Sequence, residues 1–148
     1  MHRDFEHEGS LTGLWHFEAD DALNALPARP RFIQYLRESA AQGSDFDGAS
    51  SIFGELVANV VQHAPGPIWI DFAWRVDGEG RLNVRDTGPA FTYTPHLPQR
   101  LAENGRGLYV VTLLAQALSI AHDGHGSTAT VALPIWLEAS SSRRTSTR

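Results

Sequence analysis

Apolar and polar positions follow two rhythms along this chain, and the change from one to the other marks out its elements. Leu11 to Glu18 alternates with a period near two, a strand signature. From Leu23 to Gln42 the residues Leu26, Phe32, Ile33, Leu36 and Ala40 share one helical face. Pro27 and Pro30 place the firm start of that helix near Arg29–Arg31, because proline suits a first turn and breaks an interior one. A connection from Gly43 to Gly48 offers Asp45 or Asp47 as the N-cap of the next helix. That helix carries Ile52, Phe53, Leu56, Val57, Val60 and Val61 on one stripe and stops at Pro65-Gly66-Pro67.

Beyond it, Ile68 to Val76 alternates, Asp77 to Gly80 turns the chain, and Arg81 to Asp86 returns, which predicts a hairpin. Thr87 to Asn104, with Pro89, Pro95 and Pro98, holds no period and reads as a working lid. Leu108 to Leu118 reads as a buried helix, Leu118 to His122 as a strand, His122 to Gly126 as a turn and Ser127 to Ile135 as a last strand. Strands paired mainly as hairpins, with helices on one face, predict an α+β two-layer sandwich with a mixed, mainly antiparallel sheet. The charged residues 1–10 read as a flexible lead-in and the Ser/Arg-rich residues 138–148 as a disordered tail, leaving 11–137 as one domain.

Composition narrows the function. A chain of 148 residues can bury a core without staples, and with no cysteine it has neither disulfides nor thiolate metal sites, which fits a reducing cytoplasm. No apolar run reaches the roughly 20 residues of a membrane span, and the N-terminus does not resemble a signal peptide. A formal charge of -5 argues against direct nucleic-acid binding. All 12 basic residues are arginine, so a phosphate-binding loop built on lysine is excluded. Any nucleotide has to be held by backbone amides, a metal or arginine.

Three polar clusters carry the candidate chemistry. Glu55, Asn59 and His63 stand four apart, so they rise along one strip beside the apolar stripe, where a solvated face is the plain alternative. Asp86-Thr87-Gly88 ends a strand. It is either an ordinary turn or a buried carboxylate facing a purine amine, with Gly88 allowing close approach. Gly105-Arg106-Gly107 precedes a helix, where free amides and the helix dipole favour an anion, although a glycine-bearing joint reads the same way. His122, Asp123 and His125, with no further ligands nearby, read as turn residues rather than a zinc site.

Together these residues resemble the ATP-binding domain of the GHKL (Bergerat-fold) superfamily, and most of all the anti-sigma-factor serine/threonine kinases of bacterial partner-switching systems. The likeness runs through Glu55-x-x-x-Asn59-x-x-x-His63-Ala64, Asp86-Thr-Gly88-Pro-Ala-Phe91, Gly105-Arg-Gly107-Leu108 and the closing Gly126-Ser127 strand ending at Pro134. It implies ATP and Mg²⁺ as cofactors. Asn59 is then the Mg²⁺ ligand and Glu55 the base acting on an incoming hydroxyl. Asp86 recognises adenine and Gly88 shapes its pocket, while Gly105, Arg106, Gly107 and Leu108 hold the phosphates and Ser127 stands where the family has threonine. His63 is expected to pack at its helix end.

The implied activity is transfer of the ATP γ-phosphate to a serine or threonine of a STAS-type anti-anti-sigma protein, with a sigma factor as the alternative partner and homodimers common in the family. Ala90 replaces a usual glycine, which in a left-handed backbone costs roughly 1–2 kcal/mol. A catalytically weak module that sequesters its partner, and a free-standing ATPase in which Glu55 activates water, are the competing readings.

Overall fold

The computed structural model describes residues 12–88 and 106–137. Its five strands are β1 (Thr12–Ala19), β2 (Ile68–Trp74), β3 (Glu79–Asp86), β4 (Ala117–Asp123) and β5 (Gly126–Trp136). They form one sheet in the order β1-β2-β3-β5-β4, and all four pairings are antiparallel. The helices are α1 (Arg29–Ser39), α2 (Phe46–His63) and α3 (Arg106–Leu114), with a 3-10 helix over Ala22–Ala28 ahead of α1. The architecture is the expected α+β sandwich.

Strand register explains the core. Directly paired residues point to the same face of a sheet. The register therefore sets Trp15, Phe72, Leu82, Val131 and Leu118 in one row and Phe17, Ile70, Val84, Ala129 and Ile120 in the next. These rows pack against Phe32 and Leu36 of α1, the Ile52, Phe53, Leu56, Val57 and Val60 stripe of α2, and Leu108 and Val111 of α3. Phe32 is the hub, with ring centroids 5.0 Å from Trp15, 5.1 Å from Phe53 and 5.4 Å from Phe72. Each fully buried side chain of this size contributes about 1.5–3 kcal/mol.

Asp45 is the cap of α2. Its side chain accepts the Gly48 N–H at 2.9 Å, while Asp47 sits in the first turn, where the helix dipole favours an acid. The helix stops at His63, ahead of Pro65.

Two expectations needed correcting. The firm start expected near Arg29–Arg31 holds, with α1 opening at Arg29 and Pro30 in its first turn, but the helical stretch expected from Leu23 to Gln42 begins as a 3-10 helix that contains Pro27 and ends at Ser39. Its end is set by tertiary pairing, because Ala40 bridges to Leu137 and the Ala41 N–H donates to the Trp136 carbonyl at 2.7 Å. The helix expected as far as Leu118 stops at Leu114, since the Gln116 N–H donates to the Ala132 carbonyl and Ala117 opens β4. An apolar run with good helix propensity is drawn into a strand by the open edge of β5. The lid, including Ala90, and residues 1–10 and 138–148 lie outside the described residues.

Candidate functional site

Beyond the two apolar rows, the inner face of the sheet turns polar. The next row reads Ala19, Ile68, Asp86, Ser127 and His122, one residue from each strand. Asp86 is 5% exposed and Ser127 4%, so both are buried at the rim of the core. The Asp86 carboxylate accepts the Gly88 N–H at 2.9 Å and the Ser127 backbone N–H. Burial pushes its pKa up from the ordinary value, against the opposing pull of those two amides and of the His122 imidazole. An ionised carboxylate has about four acceptor positions, so two amides leave it with acceptor capacity to spare.

Asp86 lines a narrow crevice of about 10 Å³, room for roughly one water molecule, between the sheet and α2 and α3. Asn59 and Asp86 are its polar walls together with Ser127, while Leu56, Val60 and Leu108 supply apolar ones. Such a mixture suits a flat heteroaromatic ring with a donor on its edge. One turn before Asn59, Glu55 is half-buried and lies against α3, where a Cβ on Gly107 would come 2.6 Å from Glu55 Oε1. Asn59 and Glu55 therefore face the crevice and its α3 rim. His63, expected to pack at the helix end, is exposed instead, because the strip leaves the crevice in its last turn.

Two glycines hold Asp86 in place by close packing. A Cβ on Gly88 would collide with the Ala64 Cβ and stand 2.9 Å from the Ala64 Cα, so the loop after Asp86 sits directly on the end of α2. Gly126 has φ +153° and lies on the Asp86 carbonyl, where a side chain is barred by both backbone and space. The crevice thus joins Asn59, Asp86, Leu108 and Ser127, with Gly88 beneath it and Glu55 and Gly107 beside it. Gly105 and the Arg106 side chain lie outside the described residues.

Sequence reasoning missed His122. The sequence sets His122 where the strand from Leu118 meets the turn and gives it no role; in the structure it is a strand residue whose Nδ1 lies 2.6 Å from Ser127 Oγ. The loop of the hairpin is only Gly124-His125, with the Asp123 side chain accepting the His125 N–H at 2.6 Å. Counting outward from a two-residue loop pairs Asp123 with Gly126 and His122 with Ser127. That was the available signal. Among the described residues, no group of three or more His, Asp or Glu side chains could hold a metal ion. A Mg²⁺ arriving with a nucleotide still fits, since that ion usually takes one or two protein oxygens plus phosphates, and Asn59 offers one.

Residues 17–133 match the histidine kinase-like ATPase domain family. The chain belongs to that family. Membership in a histidine kinase-like ATPase family implies an ATP site, and four of the residues expected there, Asn59, Asp86, Leu108 and Ser127, line the crevice together. No curated protein matches the sequence. Among solved structures, the crystal structure of the RsbU and RsbW domains of Rv1364c from Mycobacterium tuberculosis superposes with a TM-score of 0.59 at 24% identity, over 84% of this chain and 33% of that one. The histidine kinase-like ATPase domain described here thus spans about a third of that structure's length, and the likeness is one of fold. Among the described residues, no helix is long and apolar enough to cross a membrane.

Proposed function

We propose that this domain binds Mg²⁺-ATP and works as a serine/threonine protein kinase of the anti-sigma type, passing the γ-phosphate to a hydroxyl of a STAS-type antagonist protein. The observation that carries this reading is the crevice that joins Asn59 of α2 to buried Asp86 of β3, with Glu55 one turn away on the same helix. Asp86 would take the exocyclic amine of adenine on its spare acceptors. Asn59 would offer its amide oxygen to the Mg²⁺ that accompanies ATP, and the ion would supply positive charge to stabilise the negative charge that develops on transfer. Glu55 would accept the proton of the incoming hydroxyl while that oxygen bonds the γ-phosphorus, the bond to the β-phosphate oxygen breaks and ADP leaves.

The fold shared with a protein carrying an RsbW domain beside an RsbU domain supports a place in partner switching. The alternative, a module that sequesters its partner without catalysis, gains from Ala90 alone.

Titration with Mg²⁺ and a non-hydrolysable ATP analogue, run beside Asn59→Ala, tests the reading. Saturable binding that the variant loses supports the nucleotide site. No binding to the folded wild type overturns it. Transfer to a candidate antagonist, followed with labelled ATP, then separates kinase from sequestering module. Phosphate release without any partner marks an ATPase instead.

A further inference from the structure

The Ser127 hydroxyl stands in the polar row between Asp86 and His122, and what it offers a base depends on where its proton points. Its backbone N–H is used by Asp86, while its Oγ bonds His122 Nδ1 at 2.6 Å. Among the described residues, His122 is the side-chain partner of that hydroxyl.

A hydroxyl has one proton and two lone pairs, and a neutral imidazole has one nitrogen that accepts. With the proton on the bond to Nδ1, Ser127 turns lone pairs toward the crevice. Asp86 and Ser127 then form an all-acceptor wall, the complement of an exocyclic amine. Without His122, the polar side chain paired with Ser127 across the sheet is Asp86, and its carboxylate offers the proton an acceptor. A Ser127–Asp86 bond would use up an acceptor that the amine needs.

We infer that His122, in the tautomer with Nδ1 unprotonated, is a positioning residue for base selection: by accepting the Ser127 hydroxyl hydrogen bond, it keeps the purine end of the crevice an acceptor-only site and so favours adenine over purines lacking the 6-amino group. This rests on the proposed nucleotide site. It adds to that site a residue at the edge strand, which does not line the crevice and whose own ring is exposed.

The test compares the Kd of a Mg²⁺-bound non-hydrolysable ATP analogue with that of its purine-riboside counterpart, which lacks the amine. Wild type should favour the adenine compound. His122→Ala should reduce that preference roughly three- to tenfold, the size of one hydrogen bond. His122→Asn, whose Oδ1 can stand where Nδ1 stood, should keep it. In a Ser127→Ala background, His122→Ala should change the preference no further, as a double-mutant cycle requires of a residue acting through another. Equal preference in wild type and His122→Ala, or an undiminished loss in the Ser127→Ala background, overturns the inference while leaving the nucleotide site standing. Absence of binding by folded wild type removes both.

Discussion

The carboxylate of Glu55 lies so close to the backbone of Gly107 that a Cβ there would come 2.6 Å from Oε1. The atom in the way is the far end of a flexible side chain, so an alanine can be housed if Glu55 swings aside. Gly107→Ala should therefore leave the melting temperature unchanged or slightly raised, since alanine is the better helix former by up to about 1 kcal/mol. On the proposed kinase reading, phosphotransfer should fall at least about tenfold, because the proposed base at Glu55 loses its geometry. A thermal melt beside a transfer assay reads both effects.

Glu55→Gln keeps the shape of the side chain but removes the proposed base. Affinity for the Mg²⁺-bound ATP analogue should hold, while transfer to the antagonist falls by roughly 10²–10⁴. Full transfer by a well-folded Glu55→Gln protein would show that another group takes the proton.

Asp86 should trade stability for binding. Its pKa is raised by burial, so between the ordinary value of 3.8 and the higher folded value the native state holds more protons than the unfolded chain. For this group, stability is fullest below pH 3.8 and is lost as pH rises through the folded value. Asp86→Asn removes that cost. The ligand-free variant should melt higher than wild type near pH 7. Its advantage over wild type should vanish on acidification, and its affinity for the adenine analogue should drop. Melts of both proteins across pH, with a binding titration, check the sign.

The β4–β5 hairpin offers a matched pair of glycines. Around Gly124 nothing lies within 4 Å of an added Cβ, so Gly124→Ala should be near neutral. Gly126 has φ +153° and would drive a Cβ into the Asp86 carbonyl. Gly126→Ala should cost more than about 2 kcal/mol and disturb the Asp86 pocket. Denaturant melts of the two variants measure the contrast.

Helix α2 could be read almost whole from the sequence. Its cap, apolar stripe and proline stop are local signals, and Glu55 and Asn59 follow from helical spacing. Asp86 was legible as a strand end, and its partners Gly88 and Ser127 came from the family likeness. What escaped depends on residues far apart in the chain. Gln116 and Ala117 read as helix until β5 supplies an edge for β4, and His122, at the junction of strand and turn, has no role until the hairpin register places it opposite Ser127. The contact of Gly88 with Ala64, and that of Gly107 with Glu55, likewise exist only once separate elements dock.

The position of β5 has a consequence for how the molecule comes to be. Of the five strands it is synthesised last, yet it lies between β3 and β4 and carries Ser127. A nascent chain that has exposed everything up to Asp123 has the unsatisfied flank of β3 open to any passing strand, the kind of edge that invites aggregation. It also has Asp86 without the Ser127 amide that holds it. The proposed nucleotide site is therefore complete only once residues 126–136 have closed the sheet between β3 and β4.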